Sequence, residues 1–355
     1  MTTLVELAAG QRPTYVCTRL FHPSGRLLGT FLEGGVRAGL SAALTDAHLT
    51  ATGPVTFLPY RDSNGAITPR AGHEFTRDIY LLDAAQVRRA GRMVIPLDDL
   101  QVDSGIAFEL GLAWGLGIPT LTVLLNSVSL QHRPSGEPLR ALPVLSMMSG
   151  TVIDAGAFPL SGLSSEASTY QEQVLASLSR MASLVREAVY ADPVPPVSPR
   201  PERPLRLGTV HLEGGVPHAG TDLLIAHART ALRAQGWTVT TSARWDASPG
   251  ESLVDRAARD VETALAAQVV LNFGDGADVD AEVAAIQGAR TALGRPTVLL
   301  RSAPLGIQDG PVYASVCNLM LAHSAWRVAE SLAQALQWIS DLHPQQSVAA
   351  PTARR

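Results

Sequence analysis

The apolar positions of this chain fall into short runs separated by longer amphipathic stretches. Thr14 to Phe21, Met93 to Pro96 and Leu121 to Leu125 are of strand length, and helical patterns lie between them. The same arrangement returns in the second half, with runs at Leu207 to Leu212, Val269 to Phe273 and Val298 to Leu300. Continuous apolar strands alternating with helices predict parallel sheets whose two faces are both covered. An amphipathic helix from about Ser165 to Tyr190 closes the first half. The proline-rich stretch Ala191 to Pro204 then favours an extended, semi-rigid spacer. The expected fold is α/β, with two tandem flavodoxin-like or Rossmann-like domains, each a parallel sheet with helices on both faces. The expected boundaries are a domain at 1–190, a linker at 191–204, a second domain at 205–343 and a flexible tail at 344–355.

The halves also repeat one another in detail. Each has an Arg-Asp pair followed by a helix ending in Ala-Ala-Gln-Val: Arg77-Asp78 with Ala84 to Val87, and Arg259-Asp260 with Ala266 to Val269. Each then has an apolar strand, an acidic loop, and a helix rich in small residues. That helix ends in Leu-Gly-X-Pro-Thr, at Leu116 to Thr120 and at Leu293 to Thr297. Matches at fixed spacing over several elements point to a duplication. In sheets of this kind ligands bind beyond the carboxyl ends of the strands. The loops from Pro96 to Gly105 and from Gly274 to Glu282 sit there.

Composition narrows the functional classes. The chain has 355 residues, 46% hydrophobic and 17% charged, enough to bury a core in each half, and its net charge of -4 offers no basic field for nucleic acid. Cys17 and Cys317 fit neither a disulfide framework nor a zinc pattern, and both read as small core residues. The opening residues lack the charged and apolar regions of a signal peptide, and no apolar run approaches membrane length. A soluble cytoplasmic protein with no membrane partner is expected.

The stretch that carries chemistry is Asp103-Ser104-Gly105-Ile106-Ala107-Phe108-Glu109-Leu110-Gly111-Leu112-Ala113, followed by Gly117-Ile118-Pro119-Thr120. An acid stands in a strand-to-helix loop, and a second acid follows in the early turns of the helix. The glycines permit close approach of a ligand or of another backbone. Asp103 alone would read as a helix cap. Glu109 lies among Phe108, Leu110 and Leu112, which leaves little polar face and points to a pocket acid. This segment resembles the signature of the nucleoside 2-deoxyribosyltransferase family, matching it at Asp103, Gly105, Glu109, Gly111, Ala113 and Pro119, with Ile118 where lysine is usual. The Arg77-Asp78 pair resembles the family's Asn-Asp helix start. The resemblance implies that Glu109 is a nucleophile and that Asp103 and Asp78 bind and protonate the leaving base. It further implies substrate contacts from Tyr15, Arg19, Gly105 and Asn318, and no metal or other cofactor.

Such chemistry suits the residue types. Cleaving an N-glycosidic bond builds oxocarbenium character at the anomeric carbon, which a carboxylate stabilises and traps. An acid near the base makes it a better leaving group. The usual glycine-rich opening is replaced by Cys17-Thr18-Arg19-Leu20-Phe21-His22, so Arg19, His22 and Arg26 would also suit an anionic substrate. In the second half the same frame gives Asp280, Glu282 and Ile286, and Ile286 cannot act as a nucleophile. The family's partner asparagine has Ser146-Met147-Met148 in its place in the first half and Asn318-Leu319-Met320 in the second. The expectation is a fused pseudo-dimer with one site, acting on a small nucleoside or nucleotide, with a homo-oligomer of such fused pairs left open. Base exchange on 2-deoxyribonucleosides is the leading reading. Hydrolysis of a nucleoside 5′-monophosphate and a non-catalytic nucleotide sensor are the alternatives.

Overall fold

A computed structural model of the chain describes residues 2–18, 23–62, 73–97, 102–124, 143–155, 167–198, 203–215, 219–243, 252–275, 279–302, 307–308, 314–315 and 318–343. The first half runs α1 (Thr2–Ala8), β1 (Thr14–Val16), α2 (Pro23–Asp46), β2 (Thr56–Phe57), α3 (Pro59–Asp62), α4 (His73–Arg89), β3 (Arg92–Leu97), α5 (Ser104–Leu116), β4 (Thr120–Leu124), α6 (Pro143–Met148), β5 (Thr151–Asp154) and α7 (Ala167–Ala191). The second half runs β6 (Arg206–Glu213), α8 (Ala219–Ala234), β7 (Thr238–Thr241), α9 (Leu253–Ala266), β8 (Ala267–Phe273), α10 (Ala281–Ala292), β9 (Thr297–Leu300), β10 (Ile307–Gln308), β11 (Ala314–Ser315), α11 (Leu319–Ser324), β12 (Arg327–Ala329) and α12 (Leu332–Asp341).

The alternation of strands and helices produces two parallel five-stranded sheets, in the orders β2-β1-β3-β4-β5 and β7-β6-β8-β9-β12. Their registers correspond: Met93 lies opposite Tyr15 and Thr120, as Val270 lies opposite His211 and Thr297. Successive strand residues face opposite sides. On β3, Val94 therefore joins a core under α2 and α7, while Met93 and Ile95 face the other way. That other face meets α4, α5 and α6 and, beyond them, α9, α10 and α11. One hydrophobic core runs through both halves, with Phe108, Leu112, Ala285 and Ile286 all in it. A third core lies beneath α8 and α12.

At the centre α5 packs on α10. Helix α5 is apolar on nearly every face and buried from Ser104 to Gly115, as a helix covered on all sides must be. A Cβ on Gly111 would stand 1.8 Å from the Ala285 carbonyl oxygen, and one on Gly288 would stand 2.0 Å from that of Phe108. Gly288 follows Gly111 by 177 residues and Ala285 follows Phe108 by the same 177, so the two contacts are equivalent under exchange of the halves. Glycine is tolerated here, at roughly 0.5–1 kcal/mol relative to alanine, because only hydrogen fits.

The proline-rich segment is not a detached spacer along its described part. The Arg92 guanidinium donates to the Asp192 carbonyl, Val194 is buried, and the Ser198 amide donates to the Gly117 carbonyl. Among the described residues no helix is long and apolar enough to cross a membrane.

Candidate active site

Glu109 lies in the second turn of α5, buried at 6% exposure, with its carboxylate pointing at the end of β1. Two donors on that strand hold it. The Tyr15 hydroxyl donates to Oε1 at 2.7 Å and the Cys17 thiol donates to Oε2 at 2.7 Å. The two donors are two residues apart, so the pleat puts them on the same face. The Cys17 amide bonds the Val94 carbonyl, which carries the ladder one residue past β1. Phe57 stacks on Tyr15 with ring centroids 5.4 Å apart and keeps the phenol in place. Burial raises both the phenol and the thiol well above their ordinary pKa values, so both stay protonated and donate.

The Glu109 carboxyl itself is pushed up to about 8, first by burial and then by the neighbouring Asp83, while the bonds from Cys17 and Tyr15 pull the other way. Asp103 caps α5: its Oδ1 accepts from the Gly105 and Ile106 amides at 2.8 and 3.1 Å. It also lines the cleft above Glu109, so cap and pocket acid are one residue. The other lining residues include Thr18, Pro59, Asp83, Gly105, Asn318 and Met320. Asn318 comes from the opposite half. It caps α11 by accepting from the Met320 amide at 2.9 Å, and its Nδ2 lies over Gly105, where an added Cβ would stand 2.7 Å away. The cleft is narrow, about 30 Å³. That is room for a water or two. Among the described residues no group of three His, Cys, Asp or Glu is placed to hold a metal ion.

Several sequence expectations are corrected by this geometry. Asp78 does not line the cleft. Helix α4 begins at His73, so Asp78 sits in its second turn and not at its start. The carboxylate that faces Glu109 from α4 is Asp83, fully buried, which sequence reasoning missed. The two Ala-Ala-Gln-Val runs do not occupy equivalent places: Ala84 to Val87 lie inside α4, whereas α9 ends at Ala266 and Gln268 and Val269 are in β8. The step of 177 that carries Asp103 to Asp280 also carries the end of α4, Arg89, to the end of α9, Ala266. Extended to Asp83 it reaches Asp260, and that was the available signal. Tyr15 grips the carboxylate and is absent from the cleft lining. Cys17 is buried, as expected of a core residue, but it bonds an acid. Arg19, His22 and Cys317 lie outside the described residues; Arg26 is on an exposed part of α2.

A family comparison bears on this cleft. Residues 35–172 match the model of the nucleoside 2-deoxyribosyltransferases. The match contains Asp83, Asp103, Gly105 and Glu109; Tyr15 and Cys17 precede it, and Asn318 lies beyond it. Similar solved structures include a 2-desoxiribosyltransferase from Leishmania mexicana, at 16% identity and a TM-score of 0.32, covering 38% of this chain and 98% of that one. Another is a 2-deoxyribosyltransferase from Bacillus psychrosaccharolyticus, at 18% identity and a TM-score of 0.32, covering 38% and 96%. No curated protein matches the chain.

The second half has the same frame with different side chains. Ile286 occupies the place of Glu109, and Glu282 that of Gly105. The Glu282 carboxylate is fully buried and accepts from the Val144 amide of α6 at 2.6 Å, so it fills the space that Gly105 leaves open in the first half. Strand pairing places α6 opposite α11 in the scheme, since Leu121 pairs with Thr151 as Val298 pairs with Arg327. Ser146 therefore lies within α6 and is not the counterpart of Asn318.

Proposed function

We propose that the chain transfers a 2-deoxyribosyl group between nucleobases through a covalent glycosyl-Glu109 intermediate, as a fused pseudo-dimer with one working site. The observation that carries this reading is a buried glutamate with both oxygens held from one side, in a cleft that Asp83, Asp103 and the opposite half's Asn318 also line.

In the forward step ionised Glu109 attacks the anomeric carbon from beneath while the N-glycosidic bond breaks. The proton held among the acids passes to the departing base, with Asp103 and Asp83 as its donors. Three carboxyls in a water-poor cleft cannot all be ionised without strong repulsion, so at neutral pH the cluster retains a proton to give. A second base then attacks the same carbon and gives its N–H proton back to the acids, Glu109 leaves as the carboxylate, and the configuration is retained overall. Asn318 over Gly105 supplies a neutral amide to the substrate hydroxyls, and the glycine leaves room for it.

The test is incubation of a 2-deoxyribonucleoside with and without a second free base. Exchange that requires the acceptor, and that falls about a thousandfold or more in Glu109→Gln, supports the proposal. Base release from a nucleoside 5′-monophosphate without an acceptor would replace it with a hydrolase, and binding with no turnover would replace it with a sensor.

A further inference from the structure

Residue 17 follows the strand's inward face, where an apolar side chain is the default, yet a thiol stands there 2.7 Å from Glu109 Oε2. An apolar replacement would leave that oxygen buried without the donor it now has. The opposite half offers an internal comparison. Its register places His211 at the position of Tyr15 and Glu213 at that of Cys17. There the helix residue is Ile286, and the acid is on the strand, bonded by the Gly215 amide and the Ser242 hydroxyl. Each half thus keeps one acid in this strand–helix pair, and the thiol occurs only where the helix supplies the acid.

Accepting Glu109 as the nucleophile, we propose that Cys17 is its positioning residue: the thiol fixes the plane of the carboxylate together with Tyr15 and favours the ionised form that attacks. The groups facing Glu109 are Tyr15 and Cys17 from β1, Asp83 from α4 and Asp103 at the head of α5. Asn318, ahead of α11, is a neutral neighbour in the same cleft. Two of the charged neighbours oppose ionisation, and the two strand donors are the groups that favour it.

The experiment follows the protonated-carboxyl stretch of Glu109 by infrared titration of the full chain, with Glu109→Gln as the blank. Cys17→Val keeps the side chain's bulk without a donor, and Cys17→Ser keeps a donor. The Val variant is expected to titrate about one pH unit higher than wild type, a tenfold smaller ionised fraction at pH 7, and the Ser variant close to wild type. A Val variant that titrates with wild type overturns the proposal. So does a Ser variant displaced as far as the Val variant, which would assign the effect to packing. If the titration moves as expected while Glu109→Gln retains full base exchange, the nucleophile assignment fails and the thiol's hold on the carboxylate stands.

Discussion

Glu109 is an acid that the folded state prefers protonated, and this has two measurable consequences. Its carboxyl lies near 8 when folded, against an ordinary value of 4.5. The folded protein keeps a proton that the unfolded chain releases near 4.5. Its contribution to stability is therefore fully present below that pH and is lost as pH rises through about 8. A thermal-denaturation series from pH 5 to 9 is expected to show the decline, amounting to a few kcal/mol at most. Glu109→Gln should flatten it and melt higher than wild type at pH 8.5; identical slopes would contradict the assignment. For the same reason kcat/KM of the free enzyme should fall as pH rises through about 8, because the cluster then loses the proton it gives to the leaving base. At this scale Glu109 and Asp103 were readable from sequence because an acid-glycine-acid spacing constrains what a helix start can be. Asp83 and Cys17 were not. The likeness of Arg77-Asp78 to a helix start points to Asp78 instead, and an inward strand position says nothing about what lies opposite it.

Helices α5 and α10 meet with their backbones in contact at Gly111 and Gly288. A methyl at either point has no flexible neighbour to displace, only a carbonyl. Gly111→Ala is expected to cost at least about 3 kcal/mol, read as a lower denaturant midpoint with the slope unchanged. An unaffected midpoint would mean that the helices do not approach this closely in solution. Gly105→Ala should behave differently. There the added methyl meets the end of the Asn318 side chain, which can move, so folding survives and KM rises. The sequence announces both strand–helix alternation and a helix with no polar face. A helix apolar all round must be covered all round, and that much follows from the pattern. Its partner does not, because α10 lies far along the chain and its small residues do not name the surface they meet.

The two halves share one core, and the cleft draws groups from both. The pattern of losses along the chain already separates an acid-bearing half from an asparagine-bearing half; bringing them together needs the α5–α10 contact, which periodicity cannot supply. Asn318→Ala is expected to raise KM by about tenfold with a smaller effect on kcat, the signature of lost binding rather than lost chemistry, and initial-rate kinetics will decide it. A symmetric pair of subunits with two intact sites has a property that the proposed single site lacks. Mix two defective versions of such a pair, one lacking the acid and one lacking the asparagine, and hybrids regain a complete pocket. Here both defects fall on one covalent chain, so Glu109→Gln and Asn318→Ala proteins should fail to rescue each other. Any rescue on mixing would reveal halves that trade partners between molecules.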